Sequence, residues 1–237
     1  MKKLFLVLLA FLSLLAGCAS NKESSQIPEN QQDEAITVNT QDQDEPQEPD
    51  PENVMEITEE LDMWINLQDP MELLELADEV IIGRVKSVDG CSNYNEWKQT
   101  YDSDGIYTFG TIEVLQSVKG DLKEGQVIDY LKMGGIIGKE EYLKGVSDSV
   151  KNKKDFDPAK MKPFISSYYA DDVRIENGKE YLIYLGNDFE KYMANRYAIF
   201  YLGGGLREVN LEEGSILNNF TGTWEDLDSL LSRMSVK

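Results

Sequence analysis

The sequence predicts a mainly β domain of the α+β class, built as a five- to six-stranded barrel with flanking helices and a long insert. Three observations support this prediction. Segments rich in β-branched residues recur and end at glycine-containing turn pairs. Short helical patterns flank them on both sides. A long polar stretch, residues 136–176, separates the third segment from the fourth.

Two helical patterns precede the first predicted strand. Val54, Ile57 and Leu61 recur at helical spacing, which predicts a short amphipathic helix beginning near residue 54. Asp69 followed by Pro70 is typical of a helix start, because Asp can cap the first turn and Pro suits its first position. The leucines that follow would face a core.

Six segments have the composition of strands. They cover residues 80–88, 108–118, 127–133, 180–186, 196–202 and 206–209. Gly83 inside the first segment indicates a bulge or a tight bend. Residues 203–205, three glycines, predict a hairpin turn between the last two strands. A terminal helix is expected after a capping start at Thr223, with its apolar face formed by Leu227, Leu230 and Met234.

The insert at residues 136–176 is polar and rich in lysine. Loops of this length are functional, partly helical or disordered. Its lysines are Lys139, Lys144, Lys151, Lys153, Lys154, Lys160 and Lys162.

The N-terminus has the pattern of an export signal. A basic start, Lys2 and Lys3, precedes an apolar run at residues 4–15 that is too short to span a bilayer comfortably. The following Leu-Ala-Gly-Cys, ending at Cys18, resembles the bacterial lipobox at all four positions. The resemblance implies cleavage before Cys18, diacylglycerol on its thiol and an acylated (palmitate-type) amine. Such a protein would be anchored to the cell membrane on its extracytoplasmic face, since two or three acyl chains hold a protein stably.

The chain therefore divides into three predicted parts. Residues 1–17 form the signal peptide, residues 18–52 the lipidated Cys and a disordered acidic tether, and residues 53–237 a β-rich globular domain. The tether is poor in apolar residues, which leaves too little burial to offset the entropy of ordering. Between residues 19 and 60 there are 13 Asp and Glu but only one basic residue, Lys22. Anionic lipid would repel this segment, so it would act as a spacer.

Composition excludes several functions. The net charge of −21 opposes binding to nucleic acid, whose affinity depends on neutralising phosphates. The absence of histidine removes Ser-His-Asp and Cys-His catalysis. The calcium-loop spacing that starts at Asp102 fails at its sixth position, where Tyr107 replaces glycine. The sequence therefore predicts no catalytic residue, no metal site and no cofactor.

A family resemblance rests on three phrases, at residues 77–85, 111–120 and 178–185. They read Ala-Asp-x-Val-x-x-Gly-x-Val, then Val-x-x-x-x-Lys-Gly, then Gly-x-x-Tyr-Leu. Together they resemble the netrin-like domain, which is shared with tissue inhibitors of metalloproteinases. The resemblance implies a barrel of the oligonucleotide/oligosaccharide-binding (OB) type. Cys91 is the only cysteine besides Cys18, so no disulfide can form within the domain.

Loop aromatic residues are the candidate ligand-binding residues. Tyr94, Trp97, Tyr101 and Tyr107 cluster in the first long loop, where aromatic side chains suit sugar or protein contacts. Packing beneath the loop is the alternative role. The expected function is a non-catalytic binding module for a protein, peptide or envelope ligand such as a glycan, held by residues 91–107 and 136–176. The alternatives are an extracellular protease inhibitor of netrin-like type and a hydrolase that uses paired carboxylates.

Overall fold

A computed structural model describes residues 49–59, 65–96, 98–102, 105–169, 172–186, 196–200 and 202–235. Cys18 and the predicted signal peptide and tether, up to residue 48, lie outside the described residues. Of the described residues, 46% are strand and 21% are helical. Among the described helices, none has the length and apolar character needed to cross a bilayer.

The described part of the chain contains thirteen strands and five α-helices. The strands are β1 (Val54–Glu59), β2 (Glu79–Ser92), β3 (Tyr94–Asn95), β4 (Thr100–Tyr101), β5 (Tyr107–Lys119), β6 (Val127–Met133), β7 (Gly135–Gly138), β8 (Phe164–Tyr169), β9 (Glu180–Gly186), β10 (Tyr197–Ile199), β11 (Leu206–Asn210), β12 (Ser215–Asn218) and β13 (Thr223–Asp226). The helices are α1 (Pro70–Leu76), α2 (Lys139–Gly145), α3 (Asp148–Lys151), α4 (Leu202–Gly205) and α5 (Leu227–Met234). Single 3₁₀ turns cover Pro51–Asn53 and Pro158–Lys160.

Five strands close into a barrel in the order β2-β5-β6-β10-β9 and back to β2. The strand β10 completes the ring, because it pairs parallel with β6 and antiparallel with β9. All other neighbours in the ring are antiparallel. The predicted barrel is confirmed, and its form is consistent with an OB-like fold. The strands β11, β12 and β13 extend the sheet beyond β9.

The central strands β2 and β9 are buried on both faces. Ile81 and Ile183 belong to the core inside the barrel, whereas Ile82 and Leu182 belong to a second core outside it. Helices α1 and α5 contribute to this outer core. Burial on two sides explains why both strands are continuous apolar runs rather than alternating patterns. The register of β2 against β5 shifts at Gly83, which confirms the predicted bulge.

A polar clamp joins α1 to the start of β2 and the end of β5. The Lys119 ammonium donates to the carbonyl oxygens of Leu74 and Ala77, at 2.9 and 2.5 Å, at the end of α1. The buried Glu79 carboxylate accepts from the backbone N–H groups of the two residues after Gly120. Gly120 has φ +98°, and a Cβ at this position would overlap the Glu79 carboxylate.

The prediction of a helix beginning near residue 54 was wrong. Residues 54–59 form strand β1, which pairs in parallel with β8, and residues 60–64 lie outside the described range. Helical spacing over so few residues does not distinguish a helix from a strand. In this segment the pairing with the distant strand β8 stabilises the extended conformation. The second predicted helix is confirmed: the Asp69 carboxylate accepts from the Met71 N–H at 2.9 Å and caps α1.

Three other predicted elements need correction. The fifth strand is shorter than predicted, since β10 covers only Tyr197–Ile199. The three glycines of the predicted hairpin turn lie in the short helix α4. The terminal helix begins later than predicted, because Thr223–Asp226 is strand β13 and the cap is Asp226, which accepts from the Ser229 N–H at 2.7 Å.

The insert at residues 136–176 is mainly ordered strands and short helices in its described part. The strands β7 and β8 form a three-stranded sheet with β1, in the order β1-β8-β7. Helices α2 and α3 lie between β7 and β8 in the chain. Ile137 and Ile165 pack with Ile106 in a small core of their own.

Three buried tyrosines predict a sharp loss of stability in alkali. Burial raises the pKa of Tyr181 to about 12 and raises the pKa values of Tyr130 and Tyr184 beyond that. An unfolded tyrosine titrates near pH 10, so the folded state retains these protons longer than the unfolded state. Their contribution to stability is complete below about pH 10 and is lost as the pH rises through about 12.

The measurement is tyrosinate absorbance at 295 nm and far-UV circular dichroism recorded along the same pH titration. We expect part of the absorbance change to occur together with unfolding. Complete ionisation near pH 10 with an unchanged dichroism spectrum would contradict the burial argument.

Candidate functional site

A cavity of about 610 Å³ lies between the barrel and the insert sheet. Its barrel side is formed by the ends of β2, β5 and β6 and includes Cys91, Thr108 and Lys132. Its insert side is formed by β7 and β8 and includes Phe164 and Tyr168. Most of the wall is apolar. Concave sites of this size and character are typical of small-ligand and peptide binding.

Two glycines hold the insert sheet close to the end of the barrel. Gly134 follows β6 with φ +92°, and its N–H donates to the Ile106 carbonyl at 2.8 Å. A Cβ on Gly134 would lie 2.7 Å from the Tyr168 ring, and one on Gly135 would lie 2.8 Å from the Cys91 sulfur. Side chains at either position would therefore separate the two walls of the cavity.

Lys132, which lines this cavity, forms a buried ion pair with Asp172. Tyr130 on β6 points into the barrel core. Lys132 lies two residues further along the strand, so its side chain points to the same face of the sheet. The Lys132 Nζ atom lies 2.5 Å from an oxygen of Asp172, and the two side chains are 5% and 0% exposed. Lys132 also donates to the Met133 carbonyl at 3.1 Å. The second Asp172 oxygen accepts from the next backbone N–H at 2.9 Å.

Burial moves the pKa values of both partners toward neutrality. Desolvation lowers the pKa of Lys132 and raises the pKa of Asp172, while their mutual attraction opposes both changes. Strongly perturbed groups in a concave site mark candidate functional positions, although buried structural pairs show the same effect. The pair can offer a hydrogen-bonding group to a ligand in an otherwise mainly apolar space.

Aromatic and cationic groups meet beside the pair. The Tyr168 ring has the Lys132 ammonium 6.0 Å from its centroid and the Arg174 guanidinium carbon at 4.9 Å. Arg174 is exposed and lines the cavity, as does the partly exposed Phe164. This arrangement suits a ligand with an apolar body and a negative or hydrogen-bond-accepting group.

Cys91 belongs to the cavity wall. Its sulfur lies 3.3 Å from the Thr108 hydroxyl, which donates to the Gly134 carbonyl at 2.7 Å. From the sequence, Cys91 was interpreted as an incidental free thiol near a loop. Its position in the wall of a cavity was not predicted. The pair of Lys132 and Asp172 was missed too. One signal was present: a lysine stands where the inward alternation of β6 calls for an apolar residue.

The structure brings two of the four predicted loop aromatics together. The rings of Tyr94 and Tyr101 lie 5.1 Å apart, edge to face, on the two-stranded β3–β4 hairpin. The Lys144 ammonium of α2 lies 4.8 Å from the centroid of the Tyr101 ring. Tyr107 opens β5 and pairs in register with Ser92 and Met133. Trp97 lies outside the described residues.

The first loop is anchored to the insert by hydrogen bonds. The buried Asn93 amide donates to the backbone carbonyls of Asp102 at 3.1 Å and Tyr142 at 3.4 Å. The Ser92 hydroxyl donates to the Glu141 carboxylate at 2.6 Å. The two segments predicted to bind a ligand, residues 91–107 and 136–176, are therefore in contact in their described parts. The cavity lies beside these segments, since Cys91 and Ile136 belong to its wall.

No protein-family model matches the chain, and a search of curated proteins finds no match. Within the described ranges, no cluster of three or more Cys, Asp or Glu side chains could hold a metal ion.

The buried pair predicts a strong energetic coupling. Lys132→Met or Asp172→Asn alone leaves a buried charge without its partner and should lower the free energy of unfolding by about 3–5 kcal/mol. The double variant removes both charges and should lose clearly less than the sum. Urea unfolding of the four proteins, followed by circular dichroism, measures this coupling. Additive losses would show that the two side chains act independently.

Proposed function

We propose that this protein is a lipid-anchored, non-catalytic binding protein on the extracytoplasmic face of a bacterial cell membrane. The observation that carries the proposal is the cavity of about 610 Å³ between the barrel and the insert sheet. The ligand would be a peptide or another envelope molecule with an apolar body and an acidic or hydrogen-bond-accepting group. It would enter past Tyr168 and Arg174 and direct its polar group toward Lys132.

The chemistry of the wall supports this class of ligand. Phe164, Ile136 and Tyr168 offer apolar and aromatic surface, while Arg174 and Lys132 supply the cations. A guanidinium next to an aromatic ring binds carboxylate groups well, because its planar donors match their geometry. Entry of such a group would add a negative charge to a site whose wall carries the Glu176 carboxylate and whose Lys132 ammonium is paired with Asp172.

The anchor and the tether support the proposed location. The lipobox ending at Cys18 implies attachment to the membrane, and the acidic segment after it would hold the domain away from anionic lipid. The lipid would be the only membrane contact that this proposal requires.

The two alternatives have less support. Paired-carboxylate hydrolysis needs two carboxyl groups about 5–10 Å apart on either side of the substrate. Among the described lining residues of the cavity there is one carboxylate, Glu176, and the nearby Asp172 is paired with Lys132. Inhibition of a protease rests on the netrin-like resemblance alone, and the mature N-terminal residue, Cys18, would carry lipid on its amine.

The decisive variant fills the cavity without disturbing the fold. Gly138 lines the cavity, has ordinary dihedral angles (φ −65°, ψ 144°), and has no atom within 4 Å of the position of an added Cβ. Gly138→Trp should therefore fold with an unchanged melting temperature while blocking the ligand. Lys123→Trp, at an exposed position outside the cavity, is the matched control.

The assay uses the full chain, purified in detergent and incubated with envelope extract, with bound molecules identified by mass spectrometry. The parent and Lys123→Trp should retain the same molecule, and Gly138→Trp should lose it. Equal recovery by all three proteins would place the binding site outside the cavity, and Tyr94→Ala would then test the loop surface.

A further inference from the structure

We propose that a second cleft, on the opposite side of strand β11 from the barrel interior, binds an oxyanion, meaning the carboxylate or phosphate group of a small ligand. The cleft has a volume of about 380 Å³ and contains two arginines, Arg207 and Arg233. It shares no lining residue with the cavity of the proposed function.

Arg207 is a buried cation that forms no ion pair with the residues that the structure describes. Leu206, its neighbour on β11, belongs to the core inside the barrel, so Arg207 points to the other face of the sheet. Its side chain is among the largest fully buried ones, with the residue 1% exposed. One guanidinium nitrogen donates to the Gln68 carbonyl at 3.1 Å, and Nε has no hydrogen-bond partner in the described part of the chain.

A charge in this position is costly. Removing a guanidinium from water without a compensating anion is unfavourable, and an unsatisfied buried N–H adds to the cost. An oxyanion in the cleft would supply both the opposite charge and the missing acceptor. The planar guanidinium is the side-chain group whose donors best match the paired oxygens of carboxylate and phosphate.

Three side chains of the cleft each already accept a hydrogen bond through one oxygen. The Asp69 carboxylate accepts from the Met71 N–H at 2.9 Å, where it caps α1. The Glu225 carboxylate accepts from the Asn218 amide at 2.7 Å. The Asn66 side-chain oxygen accepts from a backbone N–H at 3.1 Å.

The cleft also holds donors beyond those already used by Arg207 and Asn218. Arg233 lies at the rim on helix α5, is exposed, and forms no ion pair within the described part of the chain. The side-chain amides of Asn66 and Gln68 can donate beside it. A cleft that combines two guanidinium groups with side-chain amides favours a ligand that is rich in acceptors. Arg207 would hold the oxyanion from within the cleft, and Arg233 would contact it from the rim.

The test titrates the full chain, in non-ionic detergent, with sodium phosphate or sodium succinate at constant ionic strength set by sodium chloride. We expect the melting temperature to rise with oxyanion concentration by mass action. The stronger of the two responses assigns the ligand group as phosphate or carboxylate. A melting temperature that follows ionic strength alone, with no difference from chloride, would overturn the proposal.

Two variants locate the effect in this cleft. Arg233→Gln should weaken the oxyanion affinity about tenfold by removing one charge-assisted hydrogen bond. Lys123→Gln makes the same change in net charge at an exposed lysine outside the cleft and should leave the affinity unchanged. Equal affinities of Arg233→Gln and the parent would contradict the proposal.

Arg207→Lys keeps the charge but removes the planar donors, so it should weaken binding more than Arg233→Gln does. Parental affinity in Arg207→Lys would also overturn the proposal. If Arg207→Lys does not fold, the comparison of Arg233→Gln with Lys123→Gln decides alone. A negative result in the oxyanion titration would not contradict the proposed function, because that function is tested by Gly138→Trp in the other cavity.

Discussion

The pairing of β10 with two partners is the constraint on which the rest of the structure depends. Three residues, Tyr197–Ile199, bond to β6 on one side and β9 on the other, and this turns an open sheet into a closed barrel. The close approach of β9 and β10 requires Gly186 at the end of β9, since a Cβ at this position would overlap the Phe200 ring. Closure fixes β6 in the wall with its alternate residues inward, and the last of these is Lys132. The position of Lys132 in the cavity wall is therefore a consequence of how the barrel closes.

The phrases that resemble the netrin-like domain contribute to this scaffold. Glu79, Lys119 and Gly120 form the clamp that joins α1, β2 and β5, and each is fixed by a specific contact. In the third phrase, Gly178 turns the chain with φ +76° and the Tyr181 hydroxyl accepts from the Glu176 N–H at 3.2 Å. Of these six residues only Glu176, which lies outside the three phrases, is among the described residues that line the cavity. A resemblance that rests on such residues indicates the fold. The ligand has to be inferred from the residues of the site.

The sequence predicted the elements whose burial is local and missed those that depend on distant partners. The continuous apolar runs of β2 and β9 were recognisable because both faces are covered. The strand β1 was not recognisable, since its partner β8 lies far along the chain. Its six residues also fit both the helical spacing and the alternation of a strand. Tyr94 and Tyr101 lie in contact because both belong to one short hairpin, and their role in ligand binding stays a prediction. The pairing of Lys132 with Asp172 could not be predicted, because the insert that separates them folds back onto the barrel.

Charge links the two proposed sites. The chain carries a net charge of −21, so an anion approaching it meets a repulsive field overall. Lys132 and Arg207 are nevertheless buried on strands of the same sheet, 4% and 1% exposed. Well-packed apolar residues in place of a whole buried ion pair, such as Lys132 with Asp172, often serve stability as well or better, so stability alone does not account for that pair. Salt screens the field of the exposed carboxylates more than it screens a buried guanidinium or ammonium. At physiological ionic strength the local cations would therefore outweigh the distant acidic surface, and each concave site would select acceptor-rich groups by short-range contact rather than by the overall field.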